Sequence, residues 1–301
     1  MVLPRAFGPY QLVEKLGQGG MAQVFKAVAF GASGFEKTVV IKTLLPELRG
    51  DGQYERMFIE EARLHARLSH QNLVQLHELG VADGCYFVRL DWVDGADLSS
   101  LTGGQPMPAP LALWVADQVL LALDFVHRAA DEAGRPLGLV HRDVSPRNVL
   151  LSTEGEVRLA DFGIAKATLL KDQTRAGVRK GNYAYMSPEQ VMGRPLTGAS
   201  DQFALGVTLA ELVSGQRPFD GATPLDTMDR VREAVRPELA GVDADLRRLL
   251  WTALAREPGQ RFASAEAFRL ELAVLRRAGP DVAGPALAGW VRARRLAVRG
   301  P

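Results

Sequence analysis

The densest chemistry in this chain lies in the run Leu139-Val140-His141-Arg142-Asp143-Val144-Ser145-Pro146-Arg147-Asn148-Val149-Leu150, followed thirteen residues after Asn148 by Asp161-Phe162-Gly163. Residues 149–151 and 157–160 read as two short strands joined by the polar turn 152–156. A hairpin there brings Asn148 and Asp161 close and offers the hard oxygen ligands that suit Mg²⁺. Asp143 lies on the same loop, placed to take a proton from a hydroxyl.

A second group precedes it. In Leu16-Gly17-Gln18-Gly19-Gly20-Met21-Ala22-Gln23-Val24, glycines let the backbone approach a phosphate closely, although such a turn alone more often merely connects strands. Val39-Val40-Ile41-Lys42 then ends an apolar strand on a lysine, which on its own could be a side chain snorkelling from a sheet edge. The next segment, 52–69, argues otherwise. At about 100° per residue, Tyr54, Met57, Phe58, Ala62, Leu64 and Leu68 share one helix face with Glu61 in its middle, while Arg56, Glu60, Arg63 and Arg67 fall outside it. A carboxylate on a buried stripe is costly unless paired, and Lys42 is its natural partner. His65 shares that face and reads as a packed, hydrogen-bonded core histidine rather than a ligand.

The elements that must position these residues fall into two kinds. Runs at 10–16, 23–30, 38–43, 73–79 and 86–92 are β-rich and punctuated by glycine. After Asp97, apolar segments of helical period take over at 111–128, 200–214, 245–255 and 264–276, with Gly215 and Pro218 just past the second. The expected fold is therefore α+β: a small β-rich lobe with one helix, a larger mostly helical lobe, and a cleft between them. The boundary is expected near 93–97. Residues 278–301, rich in Gly, Pro and Arg, read as a basic linker or tail, or a loosely docked helix. Trp290, Arg292, Arg294, Arg295 and Arg299 could also form a basic amphipathic helix on anionic lipid, but the flanking Gly and Pro favour the linker or packed helix.

Composition narrows the partners. With 301 residues, 47% of them hydrophobic, the chain can bury a sizeable core. A net charge of +1 supplies no global field toward nucleic acid or anionic membrane. Cys85 is the single cysteine, which excludes an intrachain disulfide and fits a reducing, cytoplasmic setting. No secretory signal is visible, and 111–127 is interrupted by Asp117 and Asp124, so it reads as core rather than as a membrane span.

Gly17 and Gly19, Lys42, Glu61, residues 141–148, 161–163 and Ser187-Pro188-Glu189, in this order, resemble the bacterial, eukaryotic-like serine/threonine protein kinases over residues 8–277. The resemblance implies a bilobal protein-kinase-like fold, with lobes at 8–93 and 94–277, and transfer of the γ-phosphoryl group of ATP to Ser or Thr hydroxyls of protein substrates. Asp143 would orient the acceptor hydroxyl and accept its proton, and Asn148 and Asp161 would bind Mg²⁺. Lys42, paired with Glu61, would hold the α- and β-phosphates under the loop of Leu16, Gly17, Gly19, Gly20 and Ala22. Leu90 would be the gatekeeper of a hinge in which the backbone of Asp91 and Val93 meets the adenine edge. Val24, Val40 and Leu150 would sandwich the ring, and Asp97 could reach the ribose. Glu189 and Arg261 match a structural ion pair, and Asp201 opens the helix that anchors the catalytic loop.

Three positions depart from the family pattern. Ala22 replaces the third loop glycine by one methyl group. Ser145 stands where most serine/threonine kinases carry a lysine on the γ-phosphate, and Arg147, four residues after Asp143, is a candidate replacement. Asn182 replaces a threonine of the substrate-binding segment. The alternative class is a pseudokinase scaffold that binds nucleotide without transfer, but such chains usually lose Lys42-, Asp143- or Asp161-type residues, all kept here. In the polar stretch 171–177, Thr174 is expected to be an activating phosphosite, with Thr168 as a rival. Arg142, helped by Arg175, Arg179 or Lys180, would receive the phosphate. A transient homodimer would serve autophosphorylation.

Overall fold

The computed structural model describes residues 3–162, 183–280 and 283–299. The chain divides into two compact units, Met1–Ser69 with Val74–Val93, and His70–Leu73 with Asp94–Pro301.

In the first unit, strands β1 (Arg5–Phe7), β2 (Tyr10–Gln18), β3 (Ala22–Phe30), β4 (Glu36–Leu44), β5 (Leu76–Ala82) and β6 (Cys85–Asp91) form one antiparallel sheet in the order β1-β2-β3-β4-β6-β5. The period of two decides what each face carries. Phe25, Ala27, Val39 and Ile41 point into a buried cluster with Phe7, Tyr10, Leu12 and Phe87. Their neighbours Val24, Lys26, Val40 and Lys42 share the opposite face, because Val24 pairs with Lys42 and Lys26 with Val40.

Helix α1 (Gly52–His65) starts where the Asp51 carboxylate accepts from the Gln53 N–H at 2.9 Å. Its buried residues are Phe58, Ala62 and His65, while Arg56, Glu60, Arg63 and Arg67 are exposed. The apolar pattern runs to Leu68, but the helix stops at His65. The chain there folds into a turn, with the Leu68 N–H on the His65 carbonyl at 3.0 Å, and this still buries Leu68. His65 Nε2 lies 2.8 Å from the Val74 carbonyl, a satisfied core histidine.

The strand expected from residue 73 begins only at Leu76, because the residues before it are held elsewhere. Asn72 donates to Gln118 and to the Val157 carbonyl, and Leu73 bridges to Leu159, all within the second unit.

The second unit contains β7 (Gly95–Asp97), β8 (Val149–Ser152) and β9 (Val157–Leu159) as a small sheet. Its helices are α2 (Leu98–Thr102), α3 (Ala109–His127), α4 (Pro188–Val191), α5 (Gly198–Ser214), α6 (Pro224–Glu233), α7 (Ala244–Ala253), α8 (Ala265–Ala278) and α9 (Gly284–Arg299). Among the described residues, α3 is the one helix long and apolar enough to cross a membrane, and 67% of its most apolar window is buried inside the unit. It packs against α5 and α8, and its Asp117 is neutralised by Arg276 of α8 at 2.9 Å. Helix α5 is buried along nearly its whole length and ends at Gly215, whose φ of 73° only glycine adopts without strain. The segment read as a linker or loosely docked helix forms α9, which buries Leu287, Ala288 and Val291 against α2, β7 and β8.

Candidate active site

The first unit supplies a bare loop and a charged pair. A Cβ added at Gly17 or Gly20 would meet nothing within 4 Å, and one at Gly19 only the Ala22 carbonyl at 3.8 Å. None of the three has a positive φ. Among the described residues, neither packing nor backbone geometry therefore demands glycine there. What glycine provides is exposed backbone at a turn pinned by the Gly19 N–H on the Ala22 carbonyl at 2.8 Å, a surface a phosphate can approach. Ala22 itself is buried at the start of β3, while Leu16 is 42% exposed. On the sheet face that carries Val24 and Val40, Lys42 Nζ lies 3.1 Å from Glu61 Oε1, with both side chains 15% exposed.

At the end of β6, Leu90 and Val93 are buried. The Asp91 N–H is committed to the Gln75 carbonyl at 3.0 Å. The Asp91 carboxylate lies 2.6 Å from His77 Nε2, and Lys26 sits 4.6 Å over the Trp92 ring.

The second unit supplies the loop that carries Asp143 and Asn148, anchored by one carboxylate. Asp201, in the first turn of α5, accepts from the backbone N–H groups of His141 and Arg142 at 2.8 Å each, and lies 2.8 Å from His127 Nε2. Burial opposes ionisation of Asp201, but the hydrogen bond and charge of His127, then the charge and N–H of His141, outweigh it and hold the carboxyl below its ordinary range. Arg142 is held at a φ of 69° between these bonds and the Gln190 side chain, which donates to its carbonyl at 3.0 Å. Gln190 is itself fixed by a capping box with Ser187 at the start of α4.

Asn148 donates through Nδ2 to both the carbonyl (2.8 Å) and Oδ2 (2.5 Å) of Asp143. With two acceptors on the nitrogen, the amide oxygen is turned away from Asp143, and an oxygen of this kind is a ligand a hard cation can take. The Ala160 N–H on the Asn148 carbonyl at 2.8 Å ties the residue before Asp161 to Asn148, across the β8–β9 hairpin. Asp161 sits at a φ of 55°. Among the described residues no cluster of three or more His, Cys, Asp or Glu could hold a metal, so one carboxylate and one amide oxygen are the offer here. That set fits Mg²⁺, which keeps several of its own waters.

Other expected residues find less direct places. Asp97 caps α2 by accepting from the Ser100 N–H at 2.9 Å, and pairs with Leu150 across β7 and β8. Ser145 is fully buried, whereas Arg147 is exposed and makes no ion pair among the described residues. Gly163, Thr168, Thr174, Arg175, Arg179, Lys180 and Asn182 lie outside the described residues.

Glu189 meets Arg261 through two bonds of 2.7 and 2.9 Å. Burial pushes the Glu189 carboxyl up, but the Arg261 hydrogen bonds and charge pull it below its ordinary value. Three supports escaped the sequence reading: His127, Gln190, and the 2.5 Å bond from Tyr185 to Glu211. The Ser187–Gln190 spacing of a capping box was the signal for the second. Burial, reinforced by Glu211, raises the Tyr185 hydroxyl pKa, and burial raises that of Glu211 too.

Comparison with known proteins places this geometry. The family model "protein kinase domain" matches residues 10–272. The chain belongs to the protein kinase family and has its fold, a strand-rich first unit and a helical second one. It is similar to the tyrosine-protein kinase MasK of Myxococcus xanthus, with 42% identity over 88% of this chain and 43% of that protein. It is also similar to the serine/threonine-protein kinases PrkC of Bacillus subtilis (31%, covering 87% and 40%) and PknA of Mycobacterium tuberculosis (33%, covering 89% and 62%). The chain thus spans about half the length of these relatives. Among solved structures, the kinase domain of M. tuberculosis PknI matches with a TM-score of 0.69 at 28% identity, over 93% of this chain and 100% of that one.

Proposed function

We propose that the chain is an active protein kinase domain, residues 8–277, that transfers the γ-phosphoryl group of ATP to hydroxyl side chains of proteins, chiefly Ser and Thr. The observation that carries this reading is the Asn148 amide, whose nitrogen is fixed on Asp143 so that its oxygen is presented as a ligand. Mg²⁺ held by Asn148 and Asp161 would neutralise charge on the phosphate oxygens.

The chain's own residues do the rest. The glycine turn and Lys42 orient the phosphates, with Glu61 holding the lysine in place. Leu90, Asp91 and Val93, with Val24, Val40 and Leu150, receive the base, and Asp97 lies toward the ribose. Asp143 accepts the proton of the acceptor hydroxyl as its oxygen bonds to the γ-phosphorus and the bond to the leaving ADP oxygen breaks. Arg147, exposed on the same loop, supplies a positive charge where Ser145 cannot. Thr174 is the activating phosphosite, with Arg142 as receiver, and a second copy of the chain is the partner in autophosphorylation. A cytoplasmic setting supplies both ATP and reduced Cys85.

A tyrosine acceptor is the second reading. It is favoured by the relative at 42% identity, whose name is tyrosine-protein kinase.

The test is incubation with Mg-ATP and a generic protein acceptor beside an Asp143→Asn control. Transfer should fall by roughly 10²–10⁴-fold in the control. Phosphoamino-acid analysis separates the two acceptor readings, and mass spectrometry reports on Thr174. ATP binding without transfer by the wild type would make the chain a pseudokinase.

A further inference from the structure

The C-terminal helix does more than cover a surface. Leu287, Ala288 and Val291 of α9 are buried against α2, β7 and β8, which fixes the helix in place. From this seat two arginines reach the ribbon beside it. Arg292 Nη1 donates to the Thr153 carbonyl in the β8–β9 turn at 2.7 Å. Arg295 Nη1 donates to Asp94 Oδ1 at 2.9 Å, and its own side chain is only 20% exposed. Asp94 and Thr153 are bound to each other as well, through the Thr153 N–H on the Asp94 carbonyl at 2.8 Å.

The fit is tight at the helix's first residue: a Cβ on Gly155 would sit 2.0 Å from the Gly284 carbonyl oxygen. Gly155 has a φ of 86°, so turn geometry and helix contact both require glycine at this place.

What the two arginines hold matters. Asp94 directly follows Val93, and β7 after it ends at Asp97. The turn at Thr153 closes the hairpin whose strand β8 begins one residue after Asn148 and contains Leu150. We infer that α9 is a positioning element for nucleotide, in which Arg292 and Arg295 fix the β7–β8 ribbon that presents Asp97, Leu150 and Asn148. The inference rests on the proposed kinase reading, in which those residues meet ATP. None of the α9 residues touches substrate. They act through the ribbon, so their loss should loosen nucleotide binding rather than slow the chemical step.

The test uses the 301-residue chain carrying Arg292→Glu with Arg295→Glu, and Arg294→Ala as a control. Arg294 lies on the same helix but rests on Trp290, 5.5 Å from its ring, instead of the ribbon. KM for ATP, kcat and the unfolding temperature are measured together, and Mg-ATP affinity is titrated directly. The double variant should raise KM and Kd about fivefold, ~1 kcal/mol, with kcat within about twofold of wild type. Asp94→Arg should raise KM similarly, and adding Arg295→Asp should restore it by reversing the pair, which keeps the idea testable if the double variant fails to fold. A merely structural helix would lower the unfolding temperature and leave KM where Arg294→Ala leaves it. That result overturns the inference. A wild type that binds Mg-ATP without transfer sinks only the activity, because Kd still reads the effect of α9. A wild type that binds no Mg-ATP overturns both.

Discussion

Lys42–Glu61 and Glu189–Arg261 are both carboxylate–cation pairs, one in each unit, and they are built to opposite specifications. In the second, Arg261 is 0% and Glu189 4% exposed at the side chain, and the contact is bidentate. All five guanidinium N–H groups find acceptors: Glu189 twice, and the carbonyls of Ala255, Ala199 and Arg256. Ser200 completes the Glu189 side at 2.7 Å, and the guanidinium lies 4.9 Å over the Phe203 ring. Such a pair has no donor to offer a ligand. It links α4, the start of α5 and the segment before α8, and nothing more can be asked of it.

The Lys42–Glu61 pair is looser in each respect: a single lysine nitrogen, 3.1 Å from one carboxylate oxygen, and 15% exposure on both sides. An ammonium is a compact point charge on a flexible stem whose three donors rotate to suit, the form of cation suited to meeting phosphate. Saturated hydrogen bonding and full burial mark the architectural pair, and a compact, part-exposed ammonium marks the other.

Two substitutions test whether the contrast holds. Glu189→Ala leaves a buried guanidinium charge unpaired and should cost about 3–5 kcal/mol of stability, read by urea unfolding. The molecules that remain folded should keep near-normal transfer rates. Lys42→Met should do the reverse. Transfer falls by roughly 10²–10³-fold, about 3–4 kcal/mol of barrier, as expected when an oriented charge is removed from a catalytic site. The unfolding midpoint should fall less than in Glu189→Ala, since Glu61, left without Lys42, is part-exposed and can still reach water. If Lys42→Met destabilises as much as Glu189→Ala, or Glu189→Ala slows transfer at constant fold, the two pairs are not different in kind.

The contrast also explains what could be read in the sequence. Lys42 and Glu61 were legible because a lone carboxylate on an apolar helix stripe is a local anomaly with a local pattern around it. Residues 141–148 stand out in the same way, because polar and charged types are packed into short spacing. Bonds made across long stretches of chain were not legible. His127 and Asp201 are separated by 74 positions, and Gln190 and Arg142 by 48, and no period or motif ties them together. The helix α1 was placed correctly at its start, where Asp51 caps it, and overrun at its end. Leu68 continues the apolar period there although a turn, not a helix, buries it. Leu73 was read as the start of a strand at 73–79, but it and Asn72 before it belong with the second unit. Their contacts with Gln118, Val157 and Leu159 lie far along the chain. Helix α9 resisted because its flanking Gly and Pro signal a loop, and its apolar face has meaning only beside α2, β7 and β8.

The smallest effect concerns acid, and it bears on the architectural pair. Glu189 has a folded pKa below its ordinary value, so the folded state binds its proton more weakly than the unfolded chain does. The resulting stability is fully present above the unfolded pKa of about 4.3 and is lost as pH falls through the lower folded pKa. Asp201 shifts in the same direction, with the loss beginning below an unfolded pKa of about 3.9. Wild-type stability should therefore decline as pH falls below about 4.5, and nowhere near neutrality on account of these two groups. Glu189→Gln removes one of the two titrations, so its unfolding free energy, lower at pH 7, should fall less steeply across that window. Urea midpoints from pH 2.5 to pH 7 on both proteins measure this directly. Parallel curves for wild type and Glu189→Gln would mean that the Arg261 contact does not hold the carboxylate ionised. The architectural half of the comparison would then rest on hydrogen bonding and packing alone.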